Sequence, residues 1–116
     1  METIEINPGT NVNLNIKVSS DAIFTSHVKL ENTIVKQSKT NNFTVNVGNI
    51  DNIDENTLSS FTSFFVNTGN IDSIKSNTTL DYTLKFGDFS KKLESTITKV
   101  SDNYFTGFFI IKIKKK

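Results

Sequence analysis

Apolar and polar residues alternate along much of this chain. From residue 11 to residue 18 the even positions carry Val, Leu, Ile and Val, while the odd positions carry Asn, Asn, Asn and Lys. Because successive side chains of a strand point to opposite faces, this pattern predicts a strand with one buried and one solvent-facing side. Segments 4–6, 28–35, 43–47 and 80–86 show the same period and predict further strands.

Turn-forming residues separate these segments at intervals of about ten residues. Asn7-Pro8-Gly9-Thr10 combines a proline that fixes φ with a glycine that permits a positive φ. Polar stretches at 21–26 and 36–42 predict loops. The fold is therefore predicted to be all-β, an antiparallel immunoglobulin-like β-sandwich of about seven to nine short strands. A small antiparallel barrel also buries one face of every strand and is the alternative.

Segment 57–66 allows both a helix and a strand. Leu58, Phe61 and Phe65 lie at i, i+3 and i+7, as on one face of a helix, and Gly69 could end such a helix. The same segment is rich in β-branched, aromatic and hydroxyl side chains, which form helices poorly. We therefore predict a strand.

The C-terminal forty residues predict a three-stranded meander. Its strands are segment 80–86, a strand that carries Leu93, Ser95 and Ile97, and segment 104–113. The last strand is apolar on both faces, with Phe105, Phe109, Ile111 and Ile113 on one side and Tyr104, Phe108 and Ile110 on the other. This pattern is expected of a central strand or of one that a partner covers.

Two segments of the chain resemble each other. Residues 43–57 and 64–78 share ten of fifteen positions at a spacing of 21, including a common Gly-Asn-Ile-Asp. An internal duplication explains the match better than convergence in a sequence rich in Asn and Ile, although two copies are too few for a solenoid. We predict two strands, each followed by a Gly-Asn turn and a short Ile-x-x-Ile segment packed on the core.

Composition narrows the classes of function. The 116 residues suit one domain, 1–116, in which Ile, Val and Thr together account for 36 positions. There is no Cys, which excludes disulfides and thiolate metal sites, and there is one His, His27, which we expect at the surface or a strand edge. With a net charge of +1 and no Arg, neither nucleic acid nor an acidic partner is indicated. We predict that the protein is not an enzyme and needs no cofactor.

Three other groups of residues could bind ligands. Asp51, Asp54 and Glu55 offer oxygen ligands for Ca²⁺, but their spacing does not match an EF-hand loop, and a solvated polar loop is the better interpretation. The C-terminal lysines, residues 112 and 114–116, are interpreted as a solvated end that discourages wrong strand pairing. The aromatic residues Phe61, Tyr82 and the adjacent Phe64 and Phe65 could stack on sugars or bases if exposed, although most of the ten Phe must fill the core.

A resemblance to a known group of proteins adds to this interpretation. Residues 4–14, Ile-Glu-Ile-Asn-Pro-Gly-Thr-Asn-Val-Asn-Leu, and residues 81–88, Asp-Tyr-Thr-Leu-Lys-Phe-Gly-Asp, resemble small immunoglobulin-like β-sandwich modules of phage virion proteins, such as baseplate and capsid-decoration domains. The resemblance covers about a quarter of the chain. It implies a role by contact in a protein that is made in the cytoplasm and incorporated into a particle.

The function predicted from the sequence is that of a non-enzymatic structural or interaction module, a subunit of a larger assembly such as a phage virion. The expected partners are other protein subunits, either copies of the same chain or different chains, and neither nucleic acid nor a membrane. No signal peptide or run of eighteen apolar residues is visible, so we expect cytoplasmic synthesis. The predicted contact residues are Tyr104, Phe108, Ile110, Tyr82 and Phe61. The alternative is a carbohydrate-binding or adhesion module.

Overall fold

The computed structural model describes residues 1–116 as ten strands and two short helices. The strands are β1 (Glu2–Ile6), β2 (Asn11–Ser19), β3 (Ile23–Leu30), β4 (Thr33–Ser38), β5 (Asn42–Asn49), β6 (Thr57–Phe65), β7 (Thr79–Phe86), β8 (Phe89–Leu93), β9 (Thr96–Ser101) and β10 (Tyr104–Lys115), and the helices are α1 (Ile50–Ile53) and α2 (Ile71–Ser76). They build two sheets packed as a sandwich, which confirms the predicted fold class, with ten strands instead of the predicted seven to nine. The barrel alternative is wrong, because the sheets do not close.

The two sheets differ in size. The four-stranded sheet has the order β5-β2-β7-β8, and the six-stranded sheet has the order β1-β10-β6-β3-β4. The remaining strand, β9, pairs with the first half of β10, and β1 pairs with its second half. All pairs are antiparallel except β1 with β10, which is parallel.

The core lies between the sheets and contains 24 buried apolar residues in one cluster. The burial of side chains along β2 follows the predicted alternation, since Val12, Leu14 and Ile16 are fully buried. In β6 the inward side chains Leu58 and Phe64 are also fully buried, so the strand predicted for this segment is confirmed over its helical alternative. Neither of the two helices has the length or the apolar character needed to cross a membrane.

The predicted strand 28–35 is wrong, because a turn divides it. Glu31 and Asn32 separate β3 from β4, and Glu31 has a φ of 53°. The turn is held by Thr57, whose backbone N–H donates to Glu31 Oε1 and whose carbonyl accepts from the Glu31 N–H. No Gly or Pro marks this turn, which explains why the sequence hides it. The neighbouring loops are also shorter than predicted, since β3 begins at Ile23 and β4 continues to Ser38.

The predicted C-terminal meander is also wrong. Its middle strand is two strands, and the chain passes from the edge of the four-stranded sheet in β8 to the six-stranded sheet in β9. The break lies at Glu94-Ser95, where the Ser95 hydroxyl donates to the Leu80 carbonyl oxygen at 3.3 Å. Alternation within a strand does not reveal which sheet the strand joins.

The two similar segments form the same local structure. In each, a glycine with positive φ, Gly48 at 136° and Gly69 at 99°, precedes an asparagine that caps a short helix. Each unit also carries the chain from one sheet to the other, α1 from β5 to β6 and α2 from β6 to β7. The predicted Ile-x-x-Ile segments are thus short helices that join the two sheets.

Candidate interaction surface

The C-terminal strand lies in the interior of the six-stranded sheet. β10 pairs with β6 along one side and with β9 and β1 along the other, so the prediction of a central strand is confirmed. Its inner face, with Phe105 and Ile113 fully buried, belongs to the core. Its outer face carries Phe108 and Ile110, which remain 43% and 46% exposed. No part of the chain covers this outer face at these two positions.

Strand register brings further apolar side chains to the same surface. Phe61 of β6 lies opposite Phe108, and Phe65 lies opposite both Tyr104 and Ile23. The rings of Phe65 and Tyr104 have centroids 4.7 Å apart. We call this surface the apolar face, and its members are Ile23, Phe61, Phe65, Tyr104, Phe108 and Ile110.

The apolar face is about as large as the largest apolar patch of a typical monomer, which is often functional. The apolar face spans three strands that lie about 4.8 Å apart and seven residues that rise about 3.3 Å each. Its outline on the sheet therefore has an area of roughly 300 Å². Contiguous apolar patches of this size on soluble proteins commonly mark contact sites. Single exposed apolar residues are ordinary, whereas six neighbouring ones on one sheet require an explanation.

The polar positions within the apolar face are uncharged. Three successive cross-strand rows, from Ile23 to Phe108, contain no lysine and no carboxylate. Their polar members are Thr25, His27, Gln37, Ser63, Thr96, Thr98, Ser101 and Thr106. The first charged side chain is Lys29, which begins the fourth row beside Ser59 and Ile110. A surface without charge is dehydrated at little cost when a partner covers it.

A shallow hollow lies at one end of the apolar face. Its volume is about 190 Å³, and the outward side chains around it are His27, Lys29, Ser59, Phe61, Phe108 and Ile110. The short Ser59 side chain leaves space between larger neighbours. Sites for small molecules usually measure about 300 Å³ or more. This hollow therefore suits one side chain of a protein partner.

Of the five predicted contact residues, the structure brings four together. Tyr104, Phe108, Ile110 and Phe61 all belong to the apolar face. Tyr82 does not, and the expectation that it is exposed is wrong, because it is fully buried between the sheets. Its hydroxyl lies 3.1 Å from Thr62 Oγ1, and its ring packs edge-on against Phe109. Burial raises the pKa of Tyr82.

Sequence reasoning missed Ile23 and the hollow at Ser59, and it named Phe65 only as an aromatic residue that could stack on a sugar or base. Phe65 has the same parity as Phe61 along β6, so alternation contained a signal for it. Ile23 lay within a predicted loop, and the hollow depends on cross-strand register, which a single sequence does not display. The position of Tyr82 could have been anticipated, since Leu80 and Leu84 share its parity.

His27 lies in a strand interior to the sheet, between β6 and β4. Its cross-strand neighbours are Phe61 and Gln37, neither of which is an acid or a nucleophile. Its Nδ1 is buried and has no hydrogen-bond partner in the protein. Neither cross-strand neighbour supplies the hydrogen-bonded nucleophile or carboxylate that a catalytic dyad or triad requires.

The acidic residues around α1 contact the chain itself. Asp51 Oδ1 accepts from the Gly9 backbone N–H at 3.0 Å, and Asp54 Oδ1 accepts from the Lys115 backbone N–H at 2.6 Å. Glu55 pairs with Lys112 at 2.8 Å, and its hydrogen bond and negative charge raise the pKa of Lys112. These side chains tie α1 to the β1–β2 turn and to the end of β10.

No protein-family model, curated protein or solved structure matches this chain. No group of three or more His, Cys, Asp or Glu side chains is arranged to hold a metal ion. Two of the other hollows are lined by charged residues, Glu5, Asp88 and Lys116 in one and Asp81 and Lys92 in the other. A third lies beside the apolar face, where Glu2 and Glu94 border Phe108 and Ile110. The apolar face is thus the surface feature with the clearest physical meaning.

Proposed function

We propose that this protein is a non-enzymatic interaction module that joins other protein subunits through the apolar face. The observation that carries the proposal is the exposure of Phe61, Phe65, Phe108 and Ile110 on one uncharged sheet surface. The resemblance of residues 4–14 and 81–88 to phage virion modules supports a place in a particle of that kind. Under this proposal the chain is made in the cytoplasm and then incorporated.

The apolar face has enough area to matter energetically. At about 25 cal/mol per Å², covering roughly 300 Å² contributes at most about 7 kcal/mol, because the row of Thr25, Ser63 and Thr106 within this area is polar. Association costs about 4 to 15 kcal/mol in lost freedom of motion. The apolar face alone therefore supports a weak contact, which polar contacts at its rim or repeated contacts in an assembly would strengthen.

Size-exclusion chromatography with light scattering tests the proposal. The protein is run alone and with proteins encoded beside its gene, as wild type and as Phe108→Asp. We expect a discrete oligomer or complex that Phe108→Asp abolishes, because a buried unpaired carboxylate is strongly unfavourable. A strict monomer that binds no such protein contradicts the proposal.

A carbohydrate-binding module is the second candidate, favoured by the exposed aromatic rings of Phe61 and Phe108 on a flat sheet. Retardation in gels that contain polysaccharide, lost in Phe61→Ala, would support it. The polar residues beside these rings are Ser, Thr, Gln and His, whereas a carbohydrate site would place Asn and Asp side chains there to hydrogen-bond sugar hydroxyls. Tyr82, the other aromatic expected to contact a sugar, is buried. Protein contact is therefore the better-supported function.

A further inference from the structure

We propose that the occupant of the apolar face is a second copy of this chain, bound face to face as a two-fold symmetric dimer. This inference rests on the proposed function and names its partner. The dimer adds a further sheet-on-sheet interface, with the same kind of packing that the molecule uses between its own sheets. Three features of the apolar face carry the inference: its charge, its pattern of large and small side chains, and its area.

The charge of the apolar face suits a copy of itself. In a two-fold contact the same patch lies on both sides, so any charge near the centre would lie close to the identical charge of the partner copy. The three central rows contain no lysine and no carboxylate. A strongly charged partner would find no opposite charge there and would lose the hydration of its own groups. An uncharged surface is compatible with itself.

Large and small side chains alternate along the central strand of the apolar face. The outward residues of β6 are Ser59, Phe61, Ser63 and Phe65. Consider a two-fold axis that lies between the facing six-stranded sheets of the two copies, perpendicular to the strands and level with Thr62. Position 65 of one copy then lies over position 59 of the other. Each Phe65 then enters the partner's hollow at Ser59, and each Phe61 lies over Ser63.

The neighbouring strands obey the same relation in part, since the axis sets Ile110 over a partner's Tyr104, one large side chain over another. The register places Phe108 beside Phe61 and Thr106 beside Ser63, so the same axis sets each Phe108 over a partner's Thr106. On β3 the axis sets Lys29 over Ile23, where the apolar stem of the lysine can cover the isoleucine while its ammonium reaches solvent. Interdigitation of large with small side chains is the way in which facing sheets pack well.

The area of the apolar face sets the strength of the dimer. Stable specific interfaces bury about 800 Å² on each partner, and weak transient ones bury less. A patch of roughly 300 Å² with a polar middle row and Lys29 at its border belongs to the weaker class. We therefore expect a reversible dimer with a dissociation constant between about 1 µM and 1 mM.

Sedimentation equilibrium over a concentration series tests the dimer, with Phe108→Asp and Phe89→Asp as a matched pair. Phe89 is 63% exposed but lies on β8 of the opposite sheet. We expect Phe108→Asp to weaken dimerisation about tenfold or more and Phe89→Asp to leave it unchanged. Circular dichroism confirms that both variants are folded. A monomer up to about 1 mM, or a dimer that Phe89→Asp weakens equally, overturns the inference.

Ser59→Phe tests the fit of Phe65 into the hollow. This variant makes the apolar face more apolar while it fills the space that the partner's Phe65 would enter. If the packing is as proposed, dimerisation weakens about tenfold or more, as for a lost central contact. If the association is unspecific stickiness, Ser59→Phe strengthens it, and the inference is wrong.

The inference and the proposed function can fail separately. A protein that is monomeric alone but binds a different protein through the apolar face, with loss of binding in Phe108→Asp, keeps the proposed function and overturns the dimer. A monomer that binds no protein overturns both. A dimer that is sensitive to Phe108→Asp and to Ser59→Phe supports both.

Discussion

Among single residues, Gly107 shows most directly how one position fixes the packing of the two sheets. It lies on the inner side of β10, and a Cβ added there would overlap the side chain of Leu80 from the opposite sheet. Leu80 and Gly107 therefore behave as a matched large and small pair across the core.

We expect Gly107→Ala to lower the free energy of unfolding by about 1 to 3 kcal/mol, because overpacking forces neighbouring atoms to move. Urea denaturation measures the loss. Leu80→Ala, which leaves a cavity, should also be destabilising, but the double variant should lose less than the sum of the two. Strict additivity would show that the two residues do not interact.

Tyr82 makes the stability of the core depend on pH. Its hydroxyl joins a buried row of hydroxyl groups, in which Thr62 Oγ1 also lies 2.9 Å from Ser26 Oγ. Because burial raises the pKa of Tyr82, the folded protein holds the phenol proton above pH 10, where the unfolded chain begins to release it. The stability from this group is complete below about pH 10 and is lost as the pH rises through the folded-state pKa.

We therefore expect stability to fall above about pH 10 with a contribution from Tyr82 of up to about 1.4 kcal/mol per pH unit. Tyr82→Phe should make the alkaline loss less steep, at a cost of about 1 kcal/mol at neutral pH for the lost hydrogen bond. Tyr104→Phe is the control and should keep the wild-type slope. Equal slopes for wild type and Tyr82→Phe would contradict the role of the buried phenol.

At the scale of elements, the two short helices provide an internal comparison. Asn49 and Asn70 each accept hydrogen bonds from the first backbone N–H groups of their helix. Asn49 also donates from Nδ2 to the Gly9 carbonyl oxygen at 3.0 Å and to Asn11 Oδ1 at 3.1 Å. One cap therefore stabilises only its helix, and the other also joins α1 to the β1–β2 turn.

We expect Asn70→Ala to cost about 1 kcal/mol, the usual value of an N-cap. Asn49→Ala should cost more, about 2 kcal/mol, because it also removes two side-chain donations. Thermal unfolding of the two variants at matched pH measures the difference. If Asn70→Ala lowered the stability more than Asn49→Ala, the hydrogen bonds from Asn49 to the β1–β2 turn would not stabilise the protein.

The sequence predicted the elements best where alternation was strict and turns were marked. β2 and β7 follow the alternation of apolar and polar residues, and the β1–β2 turn is marked clearly by Pro8 and Gly9. The turn at Glu31 and the break at Glu94-Ser95 lack such residues, and tertiary hydrogen bonds hold both. Pairing between strands distant in the chain is likewise invisible to local pattern. For the same reason Phe61 and Phe108 were predicted as contact residues, but their position opposite each other was not.

At the scale of the whole molecule, the sheet edges differ in how firmly they are held. Both β4 and β5 are edge strands, at the free edges of the six-stranded and the four-stranded sheet. β4 has no buried side chain, whereas β5 buries Val45 and Val47 in the core. Between them in the chain lie only residues 39–41. The local cost of opening should therefore rise from β4 to β5 and again to the central strand β6.

Amide hydrogen exchange under native conditions measures this order. We expect hydrogen-bonded amides of β4 to exchange fastest, those of β5 about ten- to a hundredfold more slowly, and those of β6 close to the global unfolding limit, because opening β5 exposes apolar surface and opening β4 exposes almost none. Val45→Ala is the matched test, since it should bring the exchange of β5 toward that of β4 while leaving the order of β4 and β6 unchanged. If β4 exchanged as slowly as β6, β4 would have to pair with a strand that its own chain does not supply. Edge pairing between copies would then replace face-to-face stacking as the mode of assembly.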